Sequence, residues 1–374
     1  MITRDRRSEI ARGQVPYVTG VNKYGRSVKG IQTTATDIWD LAIANAGANQ
    51  PVWLAPTAAR IHTIVSSATT DVCGIGTLTF AENAANTNTV TIGAKVYTFQ
   101  TTLTNVDGNV KRGANAAASI VNLVAAINLG TGAGTTYATA MTANAVDVQA
   151  LDGAGDTVTL WDHSSALIAT TDTLAGASAW ASATTLNGVG SGKVRIWYLP
   201  TWDTEEVYED VYLHGTVGVL MTSAAVIIHR MKMIENGVQY NVNDGIIKAT
   251  AATDSSITAA IVIGACQTQM AIYGIPSTKD AILTNISLSS KDLAKTGIPV
   301  EWSLLVNEAP DINTLVYLLK GNIGTDSSGS SNAERNYDPY KRIQGPAIIK
   351  IQAVAAANDT GGTAEFDMEI VSKS

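Results

Sequence analysis

GANAAASIVNLVAAIN, residues 113–128, is the most helix-like run in this chain. Ala117, Ile120, Val121, Val124 and Ile127 recur at three- and four-residue spacings, so they share one helical face. Almost everything around the run reads as short strands and turns. The fold therefore turns on whether this helix belongs to the same unit as its flanks.

The texture around it argues that it does not. Between residues 71 and 192 only 11 charged residues occur, against 15% for the whole chain: Asp71, Glu82, Lys95, Asp107, Lys111, Arg112, Asp147, Asp152, Asp156, Asp162 and Asp172. Thr, Ala and Gly dominate this stretch. TVTIGAKVYTF (89–99) reads as two strands joined by a tight Gly-Ala turn. With DTVTLWD on the other side of the helix, the pattern predicts a small α+β unit whose helix covers one sheet face. The edges, TIVSSATTDVCGIG and TTLNGVGSGKVRIW, are rich in Gly, Ser and Thr. Excising 71–192 would bring a strand ending near Val65 to one starting near Lys193 through a hairpin turn. The reading is an inserted domain, 71–192, placed at a loop tip, where insertions disturb a host least.

The host, residues 31–70 and 193–374, is a succession of strand-like runs. WLAPTAARIHTIVSSAT (53–69), KVRIWYL (193–199), AAVIIHRMKMI (224–234), AILTNISLS (281–289), AIIKIQAVAA (347–356) and AEFDMEIVS (364–372) are typical. β-Branched and aromatic residues fill them, and Gly, Pro, Asn, Asp or Ser separate them. A mainly β protein follows, with a jelly-roll-like antiparallel β-sandwich as host domain. NTLVYLLKG (313–321) reads as a short helix and TDSSGSSNAER (325–335) as a mobile loop.

Charge separates the first thirty residues from the rest. Arg4, Arg6, Arg7, Arg12, Lys23, Arg26 and Lys29 face only Asp5 and Glu9, on a chain whose formal net charge is −7. Residues 1–30 thus read as a basic docking arm, and Tyr17 and Tyr24 with neighbouring valines give it something apolar to bury. The overall acidity argues against a specific nucleic-acid partner. No apolar run approaches the roughly 20 residues that span a bilayer, and the polar N-terminus lacks the apolar core of a secretory signal. Cys73 and Cys266 give neither zinc spacing nor a disulfide framework and read as free thiols.

The residues that carry chemistry are sparse. His62, His163, His214 and His229 form no metal-ligand spacing, and the expectation is no metal, no cofactor and no catalytic residue. GVGSGK (188–193) departs from a phosphate loop at Asn187 and Val194, and its lysine opens a strand. WDTEEVYED (202–210) gathers Asp203, Glu205, Glu206, Glu209 and Asp210, which reads as a solvated acidic face and a landing site for the basic arm of a neighbouring copy.

Several host segments carry a resemblance. VNKYGRS (21–27), TDIWD (36–40), WLAPTAAR (53–60), QTQMAIYGIP (267–276) and GPAIIKIQ (345–352) resemble a widespread family of tailed-bacteriophage virion structural proteins. TVTIGAKVYTF, the opening helix and GTGAGTTYATAMTAN (130–144) resemble a module that recurs as a surface insertion in phage virion proteins. The resemblance implies a non-enzymatic structural protein located in the virion and assembled in the host cytoplasm. A capsid-decorating or head-fibre protein is expected, docked by its arm on the major capsid protein or on tail or adaptor proteins, and self-associated as a homotrimer. The alternative is a tail fibre or receptor-binding protein, with Tyr97, Trp161 or Trp180 of the insert stacking on a host-surface glycan. A polysaccharide-cleaving role for the acidic run is the remaining reading.

Overall fold

Along the last strand of the chain, Ala364, Phe366, Met368 and Ile370 are buried while the residues between them are mostly half-exposed, so one face is committed to a core. The same alternation recurs through a computed structural model that describes residues 18–42, 50–56, 58–70, 72–164, 166–185, 191–235, 242–291, 298–312, 316–326, 330–358 and 360–373. Among these residues the chain forms 24 strands and one helix, numbered here in chain order. The protein is mainly β, and its strands pair into open, almost wholly antiparallel sheets.

The first sheet runs β1 (Val18–Ile31), β24 (Thr360–Ser372), β19 (Lys279–Lys291) and β22 (Ser330–Gln344). Facing it lies a second, β18 (Ile272–Ile275), β23 (Ala347–Ala355), β20 (Pro299–Asn307) and β21 (Leu318–Asp326), with β2 (Thr36–Asp37) also paired to β23. Leu283, Leu288 and Phe366 of one sheet and Trp302, Leu304 and Ile351 of the other share a single sandwich core. Each such side chain contributes roughly 1.5–3 kcal/mol by leaving water.

A third sheet, β13 (Val207–Tyr212), β12 (Lys193–Leu199) and β15 (Ile227–Glu235), packs with a fourth. The fourth is β14 (Val219–Leu220), β3 (His62–Ser66), β16 (Ile247–Ala251) and β17 (Ile257–Ile261). Val194, Ile196 and Met231 meet Ile64, Ile247 and Ile261 in a core completed by Trp39 and Trp53. Residues 31–70 and 193–374 were expected to close one sandwich; they build two cores instead. The seam between them is the second sheet. β18 is buried at every position and β23 along its first half, so Ile272 and Ile348 face one core while Tyr273 and Ile349 face the other. A strand covered on both faces reads as a near-continuous apolar run, which is how IYGI and AIIKI read.

One charged residue interrupts that run. Lys350 is 5% exposed and its Nζ lies 2.8 Å from Asp37 Oδ2, a carboxylate with no exposure at all. Asp37 also accepts from the Trp53 backbone N–H at 2.9 Å and from Gln352 Nε2 at 3.0 Å, and the ammonium sits 4.4 Å from the Tyr317 ring centroid. The pair joins β2 to β23.

Residues 74–180 supply the remaining sheets. β10 (Thr170–Asp172), β5 (Thr89–Ile92), β6 (Lys95–Gln100) and β7 (Asn109–Lys111) form one. β11 (Ala179–Trp180), β4 (Gly74–Thr79), β9 (Thr157–Asp162) and β8 (Val148–Gly153) form the other. β5 and β6 make the antiparallel hairpin that TVTIGAKVYTF predicts, and Gly93 in its turn has φ +61°, a left-handed conformation that favours glycine. The helix α1 (Ala116–Ile127) is capped by Asn115, whose side chain accepts from the Ala118 N–H at 2.9 Å. Its buried residues are Ser119, Ile120, Leu123, Ala126 and Ile127, whereas Ala117 and Val121 face solvent. The expected apolar face is therefore rotated, because Ser119 is drawn inward to bond Asn83 at 2.7 Å and Leu123 fills the core beneath it. Asn128 fastens the far end of the helix by exchanging two hydrogen bonds with the Ala150 backbone, at 2.7 and 2.8 Å. The core of this part draws its buried residues from Leu78 to Ile168.

Three expectations are corrected by the backbone. Residues 18–30 are no free arm: as β1 they pair with β24 from Val18↔Val371 to Ser27↔Gly362. Within β1, a Cβ on Gly25 would stand 2.5 Å from the Ala271 nitrogen, so this strand is pressed against its neighbour and cannot lift away unchanged. The helix expected over 313–321 is replaced at Leu318 by β21, which answers to β20 rather than to its own local propensity. The loop expected over 325–335 is strand at both described ends, since β21 runs to Asp326 and β22 starts at Ser330.

Asp37→Ala should leave the Lys350 ammonium buried and unpaired and lower stability by about 3–5 kcal/mol in denaturant titration. The double change Asp37→Leu with Lys350→Met should cost less than the single one, because no charge is then stranded.

Candidate functional site

β1 and β15 bound a cleft of ≈480 Å³ whose walls include Asn22, Tyr24, Trp197, Arg230, Gln267 and Thr268. Its floor is built from ionisable groups with assigned partners. Lys23 turns inward from β1 and its Nζ donates to the His229 carbonyl at 2.5 Å. His229 accepts from the Gly274 N–H at its Nε2, 3.2 Å away, so the ring proton sits on Nδ1 and is donated to Glu206 Oε2 at 2.5 Å. The ring stacks on Tyr273 with centroids 4.0 Å apart.

Burial lowers Lys23 to about 8 and raises the nearby Asp40 to about 8, and it keeps His229 below its ordinary value despite Glu206. Burial also acts to raise Glu206, but its bond to His229 and the positive charges around it hold the carboxyl low. At neutral pH the imidazole is uncharged with both nitrogens occupied. It positions β15 against β18 and has no free nitrogen to exchange a proton with a ligand.

The outer face of the β13–β12–β15 sheet leads into this cleft. Cross-strand register sets Tyr208, Trp197 and Arg230 in one row, Asp210, Arg195 and Lys232 in the next, and Tyr212, Lys193 and Glu235 in a third. Arg195 forks onto Asp210 through Nε at 2.7 Å and Nη2 at 2.9 Å, and lies 4.2 Å from the Tyr208 ring centroid. Arg230 lies 5.3 Å from the Trp197 centroid and donates to Gln267 Oε1 at 2.6 Å. The rows are an aromatic and cationic platform.

The closest approach to a nucleophile pair lies where residues 72–164 meet β12 and β13. Cys73 Sγ is 3.2 Å from His163 Nδ1, which is also 3.2 Å from Ser191 Oγ. Burial pushes the thiol up to about 11 and the His163 imidazole down to about 4, so both groups are neutral at physiological pH. The thiol donates to the Leu213 carbonyl at 3.3 Å, and His163 stacks on Tyr212 at 3.7 Å. An activated thiol needs the opposite shifts. The contacts clamp the segment instead, as do the Tyr212–Asp147 hydrogen bond and the stacking of Trp161 on His214.

Of the residues expected to dock, Arg4, Arg6, Arg7, Arg12 and Tyr17 lie outside the described residues, as does the side chain of Lys29. Lys23, Tyr24 and Arg26 share β1, where Tyr24 and Arg26 are exposed and Lys23 is buried. Lys23 is thus withdrawn from any docking role. The acidic run is mostly solvent-exposed, and each of its carboxylates has a partner within the chain. Asp203 accepts from Ser277, Glu205 pairs with Lys279 at 3.0 Å, Glu206 holds His229, Glu209 accepts from Thr222, and Asp210 holds Arg195.

The aromatics of the insert are displaced inward as well. Tyr97 is fully buried and Trp161 is 9% exposed, while Trp180 packs against the core of residues 78–168. The exposed aromatics among the described residues are Tyr24, Tyr208 and Tyr340. The platform was visible in the alternation of KVRIWYL and EEVYEDVY, but only sheet register aligns its rows.

No protein-family model matches the chain, and no curated protein matches it.

A thiol-specific disulfide reagent at about pH 8 should label the half-exposed Cys266 and spare Cys73 until the protein is unfolded. His62 and His163, both lowered by burial to about 4, bind protons more readily unfolded, where a histidine titrates near ~6.5. Their contribution to stability is complete above that value and disappears as pH falls through about 4. Melting temperature should therefore decline between these limits, and His62→Leu should flatten the decline.

Proposed function

We propose that this chain is a non-enzymatic structural component of a tailed-phage virion, a capsid-decorating or head-fibre protein. Its N-terminal residues dock on the particle, through the major capsid protein or a tail or adaptor protein. The paired sheets associate as a homotrimer, and residues 71–192 stand out from them as an inserted module.

The observation that carries the reading is a group of exposed aliphatic side chains on and just before an open sheet edge. Ile312 is 85% exposed and Leu319 58%, with Val316 and Leu318 also exposed, and β21 is the terminal strand of its sheet. An unpaired edge flanked by exposed aliphatic side chains favours a second copy of the same chain. The inward use of ionisable groups points the same way: the buried pairs around Asp37, His229 and Cys73 tie elements of the chain to one another. The sequence resemblance to virion structural proteins supplies the setting.

Light scattering should find a trimer, and Leu319→Lys combined with Ile312→Asp should reduce it to a monomer with an unchanged melting temperature. Removing residues 1–17 should leave the soluble trimer intact and abolish co-sedimentation with phage particles. Particle binding by the truncated chain, or a monomeric parent protein, would contradict the proposal.

A further inference from the structure

We propose that the cleft between β1 and β15 binds a carboxylate-bearing polysaccharide, with a sugar ring against Trp197 and its carboxylate on Arg230. This goes beyond the virion role and is independent of it, because it holds or fails with the isolated protein in solution.

Three observations carry it. The first is shape: the cleft encloses ≈480 Å³, enough for sugar rings, and Trp197 and Arg230 line it while also belonging to the platform row that continues to Tyr208. A ligand leaving the cleft would therefore pass onto a second aromatic ring, and Tyr208 is 56% exposed. The second is the chemistry of the walls. Gln267 brings a side-chain amide nitrogen beside the indole of Trp197 and the phenol of Tyr24, a mixture that suits a ligand with apolar faces and hydroxyl edges.

The third is charge. Arg195 is neutralised by Asp210 and Lys193 pairs with Glu235 at 3.3 Å, but Arg230 donates to the uncharged Gln267, and Lys232 has no carboxylate partner among the described residues. The carboxylate that does line the cleft, Glu206, keeps its charge and accepts a hydrogen bond from His229 Nδ1, and the Lys23 ammonium in the same floor offsets it. At the far rim the Asn22 amide donates to Glu365 and, at 2.8 Å, to Asp367. Arg230 beside the Trp197 ring, with Lys232 in the next row of the platform, gives two cations without carboxylate partners among the described residues, and these match the spaced carboxylates of an acidic sugar chain. A nucleic acid carries a charge at every phosphate and asks for a longer basic track than this acidic protein provides.

Calorimetry and tryptophan fluorescence on the full chain test this with tetragalacturonate as probe, maltotetraose as its neutral counterpart and an oligo-dT as competing polyanion. Tetragalacturonate should bind. Arg230→Gln should weaken it about ten-fold or more, the effect of losing a charge-assisted hydrogen bond. Trp197→Leu should weaken it also, and Lys291→Gln, on the distant end of β19, should not. Circular dichroism melts establish that each variant is folded, and Arg230→Gln, an exposed change, keeps the test valid if Trp197→Leu is not. The proposal is overturned by an absence of tetragalacturonate binding, by unchanged affinity in Arg230→Gln or in folded Trp197→Leu, or by maltotetraose or oligo-dT binding at least as tightly.

Discussion

A strand pair covered on both faces, β18 with the first half of β23, is the constraint on which the rest of the structure depends. Its residues belong to two cores at once, so neither sandwich can shift without the other. The buried Lys350–Asp37 pair holds the register of this seam. A buried ion pair adds little net stability over well-packed apolar groups, since desolvation offsets most of the attraction. What it supplies is selectivity. β2 is only two residues long and has almost no apolar surface of its own, yet the carboxylate of Asp37 is satisfied by three donors only when β2 sits opposite Gln352.

Buried ionisable groups fasten elements at two further places. His229 links β15 to β18 through its two nitrogens, and Cys73 and His163 fasten residues 72–164 to the strands β12 and β13. In each case burial drives the group toward its neutral form, and neutral groups in fixed hydrogen bonds act as joints. The core within residues 78–168 is separate, but its junction is not a bare tether: Cys73 and Trp161 contribute to the core that also holds Val194 and Met231. Position and orientation of the segment are therefore set by packing as well as by chain connection.

Much of the β architecture was legible from residue order alone. The alternation in AEFDMEIVS, the nearly continuous apolar AIIKI, and the Gly-Ala turn of TVTIGAKVYTF each report a local environment that survives into the structure. The helix at 116–127 was legible for the same reason, since period and the Asn115 cap are local properties. Its buried face was less so, because Ser119 turns inward only when Asn83 arrives from a distant loop to accept its hydroxyl.

What the chain by itself determined is thus most of the strands and the helix at 116–127; it misassigned the stretches from Leu318 and from Ser330, which read as helix and loop and are strand. Tertiary structure alone decided how those strands partner. It divided the host between two cores, drew residues 18–30 into a sheet edge, and turned five clustered carboxylates toward five different partners. It also set Tyr208, Trp197 and Arg230 side by side from three strands separated in sequence. The physical reason is that backbone pairing and burial are agreements between distant residues, and a local pattern can state what a strand buries but not what lies across from it.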